Sequence, residues 1–438
     1  MYLRGIDKIF LWMVKVGLWA LPILPLYVSS GMLFPFITGK NFAFRVIVEL
    51  IFIFWAGLAV LREEYRPRLT PLFKAVTAFV AIVFLADIFS LNPYRAFFSN
   101  YERMEGFMML GHLYLYFVML VSVFRTRRDW LVFFHVTLAA SLVVSLVGLL
   151  QKFGYRVSLQ GGFRVDSTIG NPTYLAAYLM FHIWLFAMLI YQFWRKKWLA
   201  ALYGAAFIFE LLIIYFTATR GAILSFLAVS IFLLLILTVF WRKVLPQAPS
   251  FYRILSMSFL LTLVVIPVLF WQMRNTDFVR LNPVLQRLTK YSFQERTIQS
   301  RFMIWKMSAR AVLERPILGW GQENYYLVFQ KYFNPGLYAQ EPWFDRSHNI
   351  FFDWLVHAGF LGLLSFLFIF AVAFRGLFRS IRHAVLPLWQ GIILAAAFLT
   401  YFFQNIFVFG GFGRRVFYSL EAHTRVKSFS AGITVIPA

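Results

Sequence analysis

The sequence of 438 residues contains no cysteine and few charged residues, which make up 14% of the chain. Without a thiol, a disulfide, a cysteine nucleophile, a thiolate metal site and an iron–sulfur cluster are all excluded. Hydrophobic residues account for 61%, whereas soluble domains carry about 45–50% apolar and about 25% charged residues. The composition therefore excludes a soluble globular protein and a disordered chain.

Acidic residues are scarce as well, because 18 Asp and Glu stand against 42 Lys and Arg, which gives a net charge of +24. In a soluble protein this excess would indicate nucleic-acid binding. Here most basic residues occur in short runs between apolar stretches, which is typical of membrane proteins. We therefore expect membrane lipids as partners and no nucleic acid.

Eleven apolar stretches are long enough to cross about 30 Å of hydrocarbon. They predict an all-α polytopic membrane protein, because in lipid a helix satisfies its own backbone polar groups. The first stretch is too long for a signal peptide and is interpreted as a retained span. The predicted spans are residues 9–29, 42–61, 72–91, 106–124, 130–151, 172–194, 198–219, 221–241, 252–273, 349–374 and 385–409.

The connections between these spans differ in charge. Alternate connections, beginning with the N-terminus and including those at Arg128, Lys196 and Arg379, hold more than twice as many Lys and Arg as the other short connections. By the positive-inside rule the richer set is cytoplasmic, together with the N-terminus. This orientation predicts that the long connection 274–348 faces outward, and with it any active site.

Residues 1–409 are predicted to form one multi-spanning membrane domain, with the outward loop 274–348 inserted between the ninth and tenth spans. The loop contains tryptophans and a helical pattern over 296–314, so we expect it to be folded. The tail 410–438 shows neither a helix period nor a strand period. Eleven spans from a cytoplasmic start would leave this basic tail outside, so either the last span is missing or one span assignment is wrong. We expect the former, with a truncated or altered C-terminus.

Arg220 lies in a short hairpin between two predicted spans at the outer face. An arginine at membrane depth is costly unless its side chain reaches the interface or meets an anion. One interpretation is an interfacial arginine without function. The other is an anion ligand, for which Gly221 would let a phosphate approach the backbone.

Arg301 shares one predicted helix face with Trp305, Ala309 and Val312. A guanidinium on a packed face needs a carboxylate or a phosphate as partner. A structural ion pair, for example with Glu295 or Glu323, is therefore the alternative to a ligand contact.

His348 stands where the loop returns to the membrane, and Ser347 before it is a candidate cap of the following span. A helix N-terminus favours anions, and a histidine beside it can act as a base or as a hydrogen-bond donor. A structural histidine is the simpler alternative.

The sequence has no H-E-x-x-H, D-x-D, P-loop or paired-carboxylate pattern at a predicted membrane face. Arginines dominate the candidate positions instead. This inventory favours the handling of a diphosphate by cationic side chains, without a metal ion or another cofactor.

Taken together, these motifs resemble the O-antigen ligase and O-antigen polymerase superfamily of bacterial envelope glycosyltransferases. The resemblance rests on Thr219-Arg220-Gly221-Ala222, on Arg301 and Trp305 leading through Pro316 to Gly319-x-Gly321-x-x-Asn324, and on His348-Asn349 followed by Gly359. Asn171-Pro172 and the segment Tyr101 to Gly106 also match. Together these pieces cover roughly residues 1–409.

The resemblance implies a fold of the broad glycosyltransferase-C type with twelve spans, placed in the bacterial inner membrane with the active site towards the periplasm. It also implies a polyprenyl-diphosphate-linked glycan as donor and a lipid, glycan or protein hydroxyl as acceptor. Arg220 and Arg301 would bind the diphosphate, and the two side chains should then converge. His348 would assist the acceptor hydroxyl or bind phosphate. Arg103, Gly221, Trp305 and Asn349 are the expected substrate-binding residues.

Two departures from the family pattern bear on this expectation. Members carry a glutamate about nine residues after the histidine, where this chain has His357, and the twelfth span is missing. A polymerase using the same donor is the nearest alternative function. A transporter of lipid-linked glycans and an inactive truncated homologue are the alternatives of another class.

Overall fold

In the computed structural model, residues 5–158, 162–245, 249–289, 295–338 and 343–405 are described. Within these ranges the chain is helical and contains no strand, which confirms the predicted fold class. The helices are α1 Gly5–Ala20, α2 Thr38–Leu61, α3 Pro71–Ile88, α4 Pro93–Phe98, α5 Phe107–Val123, α6 Arg127–Lys152, α7 Pro172–Gln192, α8 Lys197–Thr217, α9 Arg220–Val244, α10 Phe251–Gln272, α11 Asp277–Leu281, α12 Pro283–Thr289, α13 Arg296–Glu314, α14 Tyr325–Lys331, α15 Ile350–Arg382 and α16 Leu388–Gln404.

Each predicted span coincides with an apolar helix. In the described part of the chain, nine helical segments are long and apolar enough to cross a membrane, and α5 and α16 are shorter apolar helices. The first segment, Gly5–Leu26, changes from α-helix to a 3-10 turn at Leu21, where Pro22 and Pro25 remove backbone donors. The predicted tail 410–438 lies outside the described residues.

Several helices begin at a sequence signal that can be read directly. A residue with a short polar side chain precedes a proline, and its side chain accepts a hydrogen bond from the first turn: Thr70 before α3, Asn92 before α4 and Asn171 before α7. Proline at the first helical position lacks only a donor that would have no partner in the helix. These signals fix where the chain enters each helix.

The chain divides into two compact units. Unit 1 comprises Met1–Ala140, Phe293–Ser380 and Asn405–Ala438, and unit 2 comprises Ser141–Ser292 and Ile381–Gln404. In unit 1 the rings of Phe79, Trp354 and Phe366 pack together, with centroid separations of 4.7 to 6.2 Å. In unit 2 the indole of Trp184 donates to the hydroxyl of Thr400 at 3.0 Å, which ties α7 to α16.

Candidate functional site

Helix α13 forms the folded centre of the long loop in unit 1. It spans Arg296–Glu314, as predicted. Its buried face carries Ile304, Met307 and Ala311, which pack with Tyr325 of α14. This face is rotated from the predicted one, because Ala309 is exposed while Arg301 and Trp305 are partly buried at its edge. Arg301 therefore lies at the edge of the buried face of α13 and not at its centre.

The turn after α13 is inserted into a break in α15. Helical geometry is interrupted at Ala358 and Gly359, and the Trp320 amide donates to the Val356 carbonyl at 2.7 Å. Gly319 and Gly359 have φ of +66° and +64°, and a Cβ on either would overlap a backbone carbonyl oxygen. Glycine is thus required at positions 319 and 359 because the backbones of the turn and of α15 are in close contact there.

Arg346 is the centre of a buried ion network at the end of the loop. Its guanidinium donates to the carboxylate of Glu105 at 2.9 Å and also to that of Glu323. The side chains of Arg346 and Glu323 are 1% and 3% exposed. Glu323 also accepts from the Ser99 hydroxyl at 3.0 Å. Despite the cost of burial, these two carboxylates raise the pKa of Arg346 above its ordinary value, so it stays charged.

Arg103 belongs to the same region of unit 1. It donates to both carboxylate oxygens of Asp345, one of them at 2.8 Å. A fork-to-carboxylate pair of this kind fixes the orientation of both side chains. Arg103 was expected to bind substrate, which stays a prediction. The contact that the structure gives it is with the residue next to Arg346.

His348 follows this network after two residues and has an unusual backbone. Its φ is +56°, in the left-handed region that costs a non-glycine residue about 1 kcal/mol or more. Ser99, Met104 and Glu323 also have a positive φ, of 64°, 51° and 59°. All four flank or belong to the Arg346 network. Backbone strain of this type persists only where the surroundings determine it, and it is concentrated at functional sites.

The imidazole of His348 is partly buried and lies edge-on to the ring of Phe344, with centroids 5.4 Å apart. Burial and the positive charge of Arg301 lower the pKa of His348 to about 4, with further contributions from Arg103 and Arg346 that Asp345 opposes. The imidazole is consequently neutral at neutral pH. A neutral imidazole retains a lone pair that can accept a proton.

The helix α15 begins immediately after His348, and the residue that caps it differs from the prediction. The side chain of Asn349 accepts from the amides of Phe351 at 2.9 Å and Phe352 at 3.4 Å, so Asn349 is the cap. The Ser347 hydroxyl instead donates to Asp353 at 2.7 Å. Ser347 was the wrong choice because the chain enters the helix two residues later. The substrate-binding role of Asn349 stays a prediction.

Trp305 connects α13 to this same corner. Its indole N–H donates to the Ser347 carbonyl at 3.1 Å, and its ring stacks on Phe352 at 5.9 Å. Burial lowers the pKa of Arg301 one turn earlier on the helix. The predicted residues Arg103, Arg301, Trp305, His348 and Asn349 all belong to unit 1, and hydrogen bonds or charge interactions connect them to the loop end.

Arg220 and Gly221 belong to unit 2, at the start of α9. Ala218 closes α8 in the left-handed conformation, with φ of +48°, and Thr219 precedes Arg220 as the cap position of α9. The Nε of Arg220 donates to the Arg287 carbonyl at 2.6 Å, and Arg287 donates to the Ala218 carbonyl at 3.2 Å. Two arginines therefore hold the hairpin in shape. The predicted convergence of Arg220 with Arg301 stays a prediction.

Sequence reasoning missed Arg346, Glu105 and Arg164, and it considered Glu323 only as a partner of Arg301, whereas the structure pairs Glu323 with Arg346. The network partners Arg346 and Glu105 are 241 residues apart, so no local spacing could have paired them. The described residues contain no group of three or more His, Cys, Asp or Glu that could hold a metal ion. The expectation of a metal-free reaction stays a prediction.

Comparisons with known proteins find similar sequences. Residues 205–367 match the family model of O-Antigen ligase, a region that includes Arg220, Arg301 and His348. The chain is also similar to the ComP-specific O-oligosaccharyltransferase of Acinetobacter baylyi, with 23% identity over 372 residues, 82% of this chain and 62% of that protein. It thus spans less than two thirds of the relative's length. The predicted resemblance to the O-antigen ligase family is confirmed.

Proposed function

We propose that this O-antigen-ligase-like membrane protein transfers a glycan from a polyprenyl-diphosphate donor to an acceptor hydroxyl at the outer face of the bacterial inner membrane. The match over residues 205–367 supports the donor class. The relative is named a ComP-specific O-oligosaccharyltransferase. This name favours transfer onto a separate acceptor over polymerisation of the glycan. The observation that carries the proposal is the neutral, positioned imidazole of His348 beside the Arg301 charge.

In the proposed reaction the acceptor oxygen forms a bond to the anomeric carbon of the donor sugar. The bond from that carbon to the phosphate oxygen breaks, and the polyprenyl diphosphate leaves with the bonding electrons. Arg220 and Arg301 are assigned to the leaving group, because guanidinium groups match phosphate oxygens in geometry and remain charged. Stabilising the developing negative charge lowers the barrier without a metal ion.

His348 is assigned the proton that the acceptor hydroxyl loses. The low pKa of His348 keeps its imidazole neutral. A bound diphosphate would raise the pKa of His348 and so make the imidazole a stronger base. Direct binding of phosphate is the alternative role for the same side chain. The two roles differ in which step fails when the imidazole is replaced.

The test measures glycan transfer from a purified lipid-linked donor together with donor binding. The base role predicts that His348→Gln loses turnover by at least a hundredfold and keeps donor binding, because general base catalysis contributes about 10²–10⁴-fold. The phosphate role predicts weaker donor binding in His348→Gln and partial rescue in His348→Arg. His135→Gln, on an exposed histidine of α6, is the matched control. Full transfer activity in His348→Ala would remove the residue from the site.

The two arginines are tested in the same assay. Arg220→Lys and Arg301→Lys keep the charge and lose the planar fork, so we expect each to lose most of the transfer activity. Arg66→Lys, on an exposed arginine paired with Glu63, is the control and should transfer normally. Wild-type transfer by both lysine variants would contradict the assignment.

We also propose that the N-terminus is cytoplasmic and that the α13 loop faces the periplasm. The charge asymmetry of the connections supports this orientation. Because the chain has no cysteine, single cysteines can be introduced and labelled with an impermeant thiol reagent in intact cells. Cysteine at 330 should react and cysteine at 128 should be protected, and the reverse pattern would refute the orientation.

A further inference from the structure

The connection between α6 and α7 in unit 2 forms a cavity of about 280 Å³. Its lining includes the basic residues Lys152, Arg156 and Arg164, the ring of Phe163 and the polar side chain of Gln151. Lys152 and Arg156 are exposed and Arg164 is partly buried. The cavity is slightly smaller than a typical small-molecule pocket, so it suits a headgroup and not an extended glycan.

Among the described residues, the hydrogen-bond partners of Arg164 are neutral. Its Nε donates to the Thr217 carbonyl at 2.8 Å, and its Nη2 donates to the Thr219 hydroxyl at 3.0 Å. No carboxylate pairs with it within the described part of the chain. A guanidinium has five N–H donors, so these two contacts leave donors for a further partner on the cavity side.

A second positive charge acts on Arg164. Burial and the charge of Arg287 together lower the pKa of Arg164 to about 10. Two like charges at one site repel each other unless an anion is bound between or beside them. Partial burial without a carboxylate is therefore an unfavourable arrangement for the empty protein, and an oxyanion would relieve it.

The position of the cavity indicates which oxyanion is available. α6 is a membrane-spanning segment that ends at Lys152, and α7 is one that begins at Pro172. The residues that connect two spans lie at the level of the lipid headgroups, where phosphate groups are the abundant anions.

We propose that the cavity lined by Lys152, Arg156 and Arg164 is a binding site for a phosphate group at the membrane surface. The phosphate is carried by an anionic membrane lipid or by a diphosphate-linked lipid. Arg164 supplies the oriented fork, and the two exposed cations add attraction. No residue of this site is assigned a role in the proposed transfer reaction, so a site for a lipid headgroup can exist without that reaction, whereas a diphosphate-linked lipid as ligand rests on the proposed function.

The experiment uses the full chain in phosphatidylcholine nanodiscs and measures equilibrium binding of radiolabelled pyrophosphate. All proteins carry the Arg220→Gln, Arg301→Gln and His348→Gln replacements, so that the residues assigned to the proposed transfer reaction cannot contribute. Into this background we introduce Arg164→Gln, Arg156→Gln or, as a charge-matched control, Lys196→Gln. Lys196 is exposed in unit 2 and does not line the cavity.

We expect Arg164→Gln to weaken pyrophosphate binding at least tenfold, Arg156→Gln to weaken it less, and Lys196→Gln to change it by less than twofold. Arg164→Lys should fall between wild type and Arg164→Gln, because it keeps the charge without the fork. Equal binding by the Arg164→Gln and Lys196→Gln proteins would overturn the proposal. If Arg164→Gln does not fold, equal binding by Arg156→Gln and Lys196→Gln would overturn it.

Nanodiscs containing phosphatidylglycerol separate the two sources of phosphate. If the site takes a lipid headgroup, phosphatidylglycerol competes and pyrophosphate binding weakens in the wild-type cavity but not in the Arg164→Gln protein. If the site takes a diphosphate, pyrophosphate binding survives phosphatidylglycerol and polyprenyl diphosphate displaces it. Both results support the site, whereas pyrophosphate binding that no cavity replacement alters contradicts it.

Discussion

Two partly or fully buried arginines, one in each unit, have opposite electrostatic environments. Arg346 of unit 1 is held by the carboxylates of Glu105 and Glu323. Arg164 of unit 2 is held by a carbonyl and a hydroxyl, and the positive charge of Arg287 adds to burial in lowering its pKa. Within the part of the chain that the structure describes, the guanidinium of Arg346 therefore has carboxylate partners and that of Arg164 has none.

This difference separates two uses of the same side chain. A compensated arginine fixes the geometry of the elements around it, and here it fixes the loop end that carries His348. An uncompensated arginine destabilises the empty protein slightly and stabilises an anionic ligand. Burial alone does not distinguish the two cases, because desolvation disfavours both charges. The identity of the partner decides which use applies.

The largest effect that tests this comparison is on stability. Arg346→Leu leaves two buried carboxylates without a counter-charge, which costs about 3–5 kcal/mol. Arg164→Leu removes a repelled charge and two hydrogen bonds to neutral groups, so we expect a change of about 1 kcal/mol or less. Thermal unfolding of the purified variants, compared with that of the wild-type protein, measures both changes in stability.

A combined variant sharpens this test. In Arg346→Met with Glu105→Gln and Glu323→Gln the buried charges are gone, so part of the lost stability should return. If the combined variant is no more stable than Arg346→Leu, packing and not charge is the main contribution. Equal losses for Arg346→Leu and Arg164→Leu would break the comparison.

The fold was largely predictable from the sequence, and the reason is physical. A helix that spans lipid must be apolar over about 20 residues. The apolar stretches of the sequence therefore located the nine long apolar helical segments of the described chain and the shorter helices α5 and α16. The helix at 296–314 was also predictable, because its period is local. Gly319 and Gly359 were recognised as a pattern, but their function in joining a turn to a helix break depends on two segments meeting in space.

The candidate site was predictable only in part. Arg220, Arg301 and His348 were found through short motifs, whereas the partners of Arg346 lie more than twenty and more than two hundred residues away. The left-handed conformation of His348 was not predictable either. It results from tertiary constraints around the loop end, and histidine has only a weak local preference for it.

The next effect concerns pH and the environment of His348. Its folded pKa is about 4, and an unfolded histidine titrates at about 6.5. Between these values the unfolded chain binds a proton that the folded chain does not. Stability should therefore be flat above about pH 6.5 and fall as the pH drops towards 4, by at most about 1.4 kcal/mol per pH unit.

Two variants test this pH effect. His348→Gln should remove the part of the stability loss at acid pH that comes from protonation of this imidazole. In Arg301→Gln one of the charges that lower the pKa of His348 is absent, so the folded-state pKa of His348 rises. The pH range between the folded and unfolded pKa values then narrows, and less stability is lost at acid pH. Thermal unfolding between pH 4 and pH 7 measures all three proteins. An identical pH dependence in wild type and His348→Gln would show that burial does not affect this imidazole.

The smallest effect comes from two helix caps that are nearly identical, one in each unit. Asn349 accepts from the first-turn amides of α15 at 2.9 and 3.4 Å, and Asn171 accepts from those of α7 at 2.8 and 3.4 Å. Replacing either asparagine with alanine should cost about 1 kcal/mol of stability.

Since the stability losses of the two alanine variants match, any difference between them in glycan transfer reflects the position of each cap in the molecule. Asn349 adjoins His348, so Asn349→Ala should lower transfer several-fold more than Asn171→Ala, and Asn349→Ser should restore most of it. Equal transfer by the two alanine variants would mean that the Arg346 network positions the histidine without help from the cap.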